Sequence, residues 1–355
     1  MKIVTVIGAR PQFIKAATVS RELRNYDDIE EIILHTGQHY DKNISDIFFE
    51  ELNIPAPKYN LNVGSGAHGV QTAKMLSKIE DVLLEEKPDC VLVYGDTNST
   101  TAGAMAAVKL HIPVAHVEAG LRSFNRQMPE EINRIVTDAI SDLLLAPTNN
   151  AVEQLKTEGR KDYTYFVGDV MYDSVLYYKG LIEKRGKPDL IKGIDSFYLC
   201  TIHRAENTDN EENLKSILSA LSQADKTIVL PLHPRTKHII KKLGIKTADN
   251  IHIEEPVGYF DMLSLLAYSD KMITDSGGVQ KEAYFLQKPC VTLRNETEWI
   301  ETLDNGWNQL CGANLELILD ALDYEPGMQT NLGEFGDGNA ARKTIDLIKE
   351  KYFKK

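Results

Sequence analysis

The chain has 355 residues, 43% of them hydrophobic and 26% charged, and its 40 Lys and Arg against 52 Asp and Glu give a net charge of −12. That length suffices for two domains of ordinary size, and the composition is that of a soluble globular protein. The acidic balance excludes a broad basic footprint for nucleic acid, while leaving room for a local cationic pocket around a small anion.

Short runs rich in β-branched residues alternate with helical periods from the start. In the first half, strands are expected at about 3–7, 32–34, 91–93, 114–117, 143–145 and 165–167, with helices at about 11–25, 67–86, 98–110, 130–141 and 149–158. Continuous apolar strands between helices imply a parallel sheet covered on both faces. The pattern begins again with strands at 198–202, 228–232, 251–253, 272–274 and 291–293, and helices at 210–224, 234–243, 258–269 and 277–286. The fold class is therefore α/β with two Rossmann-like domains, 1–168 and 169–339. A helix over about 171–185 carries the crossing, and a last helix over about 340–355 ends the chain. The opening apolar run is too short for a signal peptide, and no stretch approaches the ~20 apolar residues that span a bilayer. Cys90, Cys200, Cys290 and Cys311 form no CxxC or Cys/His cluster. Neither a disulfide scaffold nor a metal site is expected, and the thiols read as buried and reduced in a cytoplasmic protein without membrane partners.

In open α/β sheets ligands bind beyond the carboxyl ends of the strands. After the first strand comes Gly8-Ala9-Arg10-Pro11-Gln12-Phe13-Ile14-Lys15. Gly8 allows a tight turn, Pro11 suits the first helical position, and Arg10 and Lys15 add charge where free N–H groups greet an anion. Plain surface cations are the alternative. The run is neither a Walker A loop nor GxGxxG, and the second strand ends in His35-Thr36-Gly37-Gln38-His39 without an acidic ribose ligand, so dinucleotide binding loses ground. Asp96 follows the 91–93 strand, where it could also serve as a helix N-cap. Glu118 follows the neighbouring strand, and two carboxylates at adjacent strand ends suggest an acid/base pair. Met128-Pro129-Glu130-Glu131-Ile132-Asn133-Arg134 opens a helix; the i,i+4 spacing pairs Glu130 with Arg134 and leaves Glu131 freer to enter a cleft, or simply to favour the helix dipole.

In the second half, His203 and Arg204 after a buried strand form a cationic pair suited to phosphate, with a loop histidine as the plain reading. His233 repeats the theme with less context. Asp275-Ser276-Gly277-Gly278 follows a strand and opens a helix, where Ser276 can cap and the glycines admit a diphosphate to the backbone N–H groups. Glu282, one turn on, is placed to accept two ribose hydroxyls. Tyr259 and Phe260 are placed to stack a base, core packing being their default role.

Taken in order, Gly8 to Lys15, Thr36-Gly37-Gln38-His39, Tyr94-Gly95-Asp96-Thr97, His116-Val117-Glu118-Ala119-Gly120-Leu121-Arg122, Pro129 to Arg134, His203-Arg204 and Asp275 to Gly278 resemble the non-hydrolysing UDP-N-acetylglucosamine 2-epimerase family. The resemblance implies a GT-B-like pair of domains with the active site in the interdomain cleft and the last helix packed back on the first domain. It implies reversible inversion at C2 of UDP-GlcNAc to UDP-ManNAc, by elimination of UDP to a 2-acetamidoglucal and re-addition, with no cofactor such as NAD or metal. It also implies a homodimer. Asp96, Glu118 and Glu131 match the catalytic carboxylates and His203 the catalytic histidine near the diphosphate. Arg10, Lys15, Arg204, His233, Tyr259, Ser276, Gly277, Gly278 and Glu282 match or adjoin the UDP-sugar contacts.

Two departures narrow what the resemblance carries. Asp41 stands where many bacterial members have a second glutamine for an activating UDP-GlcNAc, so no allosteric site is carried over. Thr297-Glu298-Trp299 replaces part of the usual Thr-Glu-Arg-Pro-Glu run and resembles a branch that includes archaeal epimerases and epimerases of UDP-diacetamidouronic acids. A GT-B glycosyltransferase is the rival enzyme and a non-catalytic nucleotide-sugar sensor the rival binding protein. The carboxylates Asp96, Glu118 and Glu131 speak against both, since neither has a C2 proton to move.

Overall fold

The computed structural model describes residues 1–38, 52, 54–232, 234–328 and 330–353. It divides into two compact units, Met1–Ser174 with Gly333–Lys355, and Val175–Leu332.

The first unit runs β1 (Lys2–Ile7), α1 (Arg10–Leu23), β2 (Glu30–His35), β3 (Tyr59–Asn60), α2 (His68–Glu86), β4 (Cys90–Tyr94), α3 (Asn98–Lys109), β5 (Val114–Val117), α4 (Pro129–Ile140), β6 (Leu143–Ala146), α5 (Asn149–Thr157) and β7 (Thr164–Phe166). Its described strands form one sheet in the order β3-β2-β1-β4-β5-β6-β7, every pairing parallel. All five β4 residues are buried, as a strand covered on both faces requires. On one face Val4, Val6, Val91 and Val93 pack against Met75 and Ile79 of α2 and the alanines of α3. Gly103 lets α3 approach closely, since a methyl there would stand 3.2 Å from Val6 and Val93.

Helix α6 (Val170–Arg185) leads to the second unit: β8 (Phe197–Thr201), α7 (Ala205–Thr208), α8 (Glu211–Ser222), β9 (Thr227–Pro231), α9 (Pro234–Lys242), β10 (Ile251–Glu254), α10 (Tyr259–Tyr268), β11 (Lys271–Thr274), α11 (Gly277–Phe285), β12 (Cys290–Thr292), β13 (Asn308–Leu310) and α12 (Leu315–Asp323). Its sheet, in the order β10-β9-β8-β11-β12-β13, is again parallel throughout. The last helix, α13 (Ala340–Tyr352), belongs to the first unit, where Tyr26 Oη donates to Asp346 (2.9 Å) and Lys349 pairs with Asp28 (2.9 Å).

The division falls inside α6 and at Leu332/Gly333 rather than at 168/169 and 339. The cause is local. The Asp169 amide donates to the Phe335 carbonyl (2.9 Å), and the Asp173 carboxylate accepts the Ala340 and Ala341 amides (3.1 and 2.8 Å), so the first turn of α6 is tied to the start of α13. In each sheet the strand order reverses once, between β1 and β4 and between β8 and β11. Ligand sites open at such reversals, outside the carboxyl ends of the strands.

Candidate active site

At the β1/β4 reversal the turn after β1 is held by the protein's own groups. A methyl on Gly8 would overlap Thr36 and Ser99, so this position has space for glycine alone. Gln12 Oε1 accepts the Gly8 and Ala9 amides (2.8 and 3.1 Å), while its Nε2 donates to the Tyr94 carbonyl (2.9 Å), tying the turn to the end of β4. Gln38 fastens the neighbouring loop, accepting from the Ser99 amide and hydroxyl (3.0 and 2.7 Å). Pro11 stands second in α1, behind Arg10. The Arg10 side chain, His39 and Asp41 lie outside the described residues.

Lys15 reaches across from α1 to pair with Glu118, both side chains being more than nine-tenths buried. Glu118 sits just past β5 at φ +70°, a left-handed conformation costly for a side chain of this kind and concentrated at functional sites. Gly95, at φ +62°, lies beneath the pair; a methyl on it would stand 3.2 Å from Lys15 Nζ and 3.5 Å from Glu118 Oε1. Asp96 follows. It is not the N-cap of α3, because Thr97 takes that position and accepts the Thr100 amide. Asp96 instead points to Arg134, whose Nη1 lies 2.5 Å from its Oδ2. Burial pushes the Asp96 carboxyl upward, opposed by Arg134 and Lys15 and reinforced by Glu118.

The i,i+4 pairing of Glu130 with Arg134 gives way to another. Arg134 turns inward to Glu131 (3.0 Å) and Asp96, which draws Glu131 down to 1% exposure instead of leaving it free. Burial alone would raise the Glu131 carboxyl. The Ser123 and Phe124 amides and Arg134 outweigh it and hold the group below its ordinary range.

A buried strut that sequence spacing does not reveal supports this cluster. His116 Nε2 lies 2.7 Å from the Gly95 carbonyl and Nδ1 lies 2.8 Å from Asp138 Oδ1. The ring is thus held at both nitrogens, between the end of β4 and α4. Asp138 Oδ2 also receives the Gly120 amide (3.1 Å) and Arg122 Nη1 (2.8 Å). One carboxylate thereby fixes the loop that carries Glu118 and the carbonyl that precedes Asp96.

In the second unit, His203 and Asp275 come together at the β8/β11 reversal. His203 Nδ1 lies 2.9 Å from Asp275 Oδ1, and the Asp275 carboxylate also accepts the His203 and Arg204 amides and Asn207 Nδ2. Burial pushes Asp275 up, but His203 and these donors hold it low. Asp275 thereby orients the imidazole through Nδ1, on a side chain 54% exposed. The sequence shows Asp275 only as a member of the Asp275-Ser276-Gly277-Gly278 run, and its partner His203 stands 72 residues earlier. The Arg204 guanidinium is half-buried and reaches Glu206 at 4.0 Å.

Ser276 occupies the N-cap position of α11 without a side-chain capping bond, and Glu282 is buried within that helix. Tyr259 is also buried, packed edge-to-face on Tyr178 (5.4 Å, 82°), which is the core role; Phe260 beside it is half-buried. His233 lies outside the described residues. Among those described, no group of His, Cys, Asp and Glu is arranged to hold a metal.

The family model described as UDP-N-acetylglucosamine 2-epimerase matches residues 21–349. The chain belongs to the UDP-N-acetylglucosamine 2-epimerase family. The family's relatives here are enzymes, isomerases of UDP-sugars, and so is this chain. A Pseudomonas aeruginosa relative, UDP-2,3-diacetamido-2,3-dideoxy-D-glucuronate 2-epimerase, is 50% identical over 98% of this chain and 99% of its own. A Methanocaldococcus jannaschii UDP-N-acetylglucosamine 2-epimerase is 46% identical over 98% and 99%. The fold matches the crystal structure of the M. jannaschii UDP-GlcNAc 2-epimerase with UDP-GlcNAc and UDP at a TM-score of 0.89 and 44% identity, covering 99% of this chain and 100% of that one. Like that epimerase, the chain has the two Rossmann-like domains of the GT-B-like class.

Proposed function

We propose that this chain interconverts UDP-N-acetylglucosamine and UDP-N-acetylmannosamine, without hydrolysis, by eliminating UDP and adding it back. The observation that carries the reading is the convergence of Asp96 and Glu118, from neighbouring strand ends, around Lys15. Inversion at C2 needs one group to take the proton and another to return it on the opposite face. In the forward direction a carboxylate takes the C2 proton, the C–H electron pair becomes the C1–C2 double bond, and the C1–O bond breaks to release UDP. Re-addition reverses these steps with the proton delivered to the other face. Lys15, Arg10, His203 and Arg204 offset the charge growing on UDP. Ser276, Gly277 and Gly278 take the diphosphate and Glu282 the ribose, with His233 and Tyr259 as flanking contacts. The four free, buried cysteines suit a reducing cytoplasm.

Gly277 and Gly278 support the phosphate role by elimination. Neither has positive φ. A methyl on Gly278 would meet nothing within 4 Å, and one on Gly277 only ordinary contacts with Glu298, Arg294 and Trp299 at 3.6–3.8 Å. The protein's own packing gives no reason for glycine, whereas a phosphate drawn against the amides does. Gly278→Ala is therefore expected to keep or slightly raise thermal stability, by up to about 0.5–1 kcal/mol. It should weaken UDP binding about tenfold in calorimetry. Unchanged UDP affinity would remove Gly278 from the contacts.

A second substrate is favoured by the 50% identical diacetamidouronate epimerase and by the Thr297-Glu298-Trp299 run. That run lies against Gly277: Arg294 is held bidentately by Glu298 (2.9 and 3.0 Å), and Lys281 Nζ stands 3.5 Å from the Trp299 ring centroid. Both sugars are compared side by side by chromatographic separation of the epimers. Turnover of UDP-GlcNAc is the expected result. Turnover of the UDP-diacetamidouronate alone would transfer the assignment to that substrate.

A further inference from the structure

We propose that Arg134 is a positioning residue that fixes the Asp96 carboxylate, and that Glu131 works through Arg134 rather than carrying a proton itself. The inference rests on the epimerase reading above and divides the labour among its three carboxylates. Glu131 Oε1 accepts the Phe124 amide (2.9 Å). Its Oε2 accepts the Ser123 amide (2.9 Å), the Ser123 hydroxyl (3.0 Å) and Arg134 Nε (3.0 Å). Four donors converge on a side chain 1% exposed, so a proton arriving there would break bonds already made and would have no path from solvent. Asp96 shares the same arginine, yet its side chain is 30% exposed. Of the two carboxylates on Arg134, Asp96 alone is open to a reacting group. Helix α4 grips the Asp96 turn a second time, through Asn133 Nδ2 on the Asp96 carbonyl (2.9 Å). Glu131 thus anchors the 123–124 loop, holds the guanidinium in plane, and leaves Nη1 for Asp96.

The charged groups around Asp96 are Arg134 and Glu130 from α4, Lys15 from α1 and Glu118 beyond β5. Arg134 favours the ionised carboxylate, so its loss lets the group protonate at higher pH.

The test compares Arg134→Gln, Arg134→Lys, Glu131→Gln and their double variant Glu131→Gln/Arg134→Gln, with Asp96→Asn to assign the signal. The Asp96 carboxyl carbon, followed by 13C NMR through a pH titration, needs no turnover. It is expected to titrate at higher pH in Arg134→Gln, and nearer to wild type in Arg134→Lys, which keeps the charge if the glutamine variant folds poorly. In turnover, the acid limb of kcat/KM moves upward with it, kcat falls about 10²-fold in both single glutamine variants, and the double variant is no worse than either. An unmoved Asp96 titration in Arg134→Gln would overturn the proposal. So would a Glu131→Gln loss matching that of Asp96→Asn and adding to that of Arg134→Gln. Wild-type enzyme inert on both UDP-sugars would instead defeat the substrate reading, and the NMR titration would still decide the role of Arg134.

Discussion

Asp96→Asn is expected to lower kcat for 2-epimerisation by about 10³-fold, inside the 10²–10⁴ range of a lost general base. UDP affinity should change by less than about threefold, under 1 kcal/mol. The asparagine keeps the shape and can still accept from Arg134, so the loss reports the proton rather than the fold. Glu118→Gln should show the same split between turnover and UDP binding, with its amide still accepting from Lys15. Measuring kcat by epimer separation and Kd by calorimetry checks both variants. A variant that keeps wild-type kcat removes its residue from the proton-transfer pair. A variant that loses UDP binding in proportion to kcat shows a binding role instead.

The second large effect is on stability. Asp138→Ala leaves Arg122 and His116, both almost wholly buried, without the carboxylate that joins them. Breaking a buried charge pair by removing one partner costs about 3–5 kcal/mol. The expected result is a correspondingly lower urea midpoint at unchanged m-value. The pH dependence has a definite sign. Burial raises the Asp138 carboxyl, but His116 and Arg122 more than reverse this and hold it below its ordinary value. The folded state therefore binds the proton less readily than the unfolded chain, and the stabilisation is present above about pH 4 and lost as pH falls below it. The difference between wild type and Asp138→Ala should be full at pH 7 and shrink in acid. A difference under about 1 kcal/mol at pH 7 would show that the strut carries little.

Much of this architecture is legible in the sequence because buried parallel strands are continuous apolar runs and their carboxyl ends are polar by contrast. Asp96, Glu118, His203 and Gly277 stand out for that reason. Strands β3 and β13 do not, because Tyr59-Asn60 and Asn308-Gln309-Leu310 are short edge segments without an apolar run. Leu315–Asp323, the helix α12, carries an apolar face but lies beyond the last strand expected from the pattern. The site's support is hidden for a different reason. Local spacing pairs Arg134 with Glu130, yet its partners are Glu131 one turn away and Asp96, which is 38 residues distant. His116 and Asp138 are separated by 22 residues and meet only once β5 and α4 pack. Asp275 gains its meaning from His203, 72 residues earlier. Periodicity places residues on faces; it does not choose among charges that arrive there from different elements.

The most direct measurement is proton exchange at C2 of the sugar. Wild-type protein is incubated with UDP-GlcNAc in D2O and the nucleotide sugars are followed by 1H NMR. Reversible elimination predicts loss of the C2 proton signal from the recovered UDP-GlcNAc together with the appearance of C2-deuterated UDP-ManNAc, both slowed about 10³-fold in Asp96→Asn. Full retention of the C2 proton in UDP-GlcNAc, and likewise in the UDP-diacetamidouronate, would contradict the account.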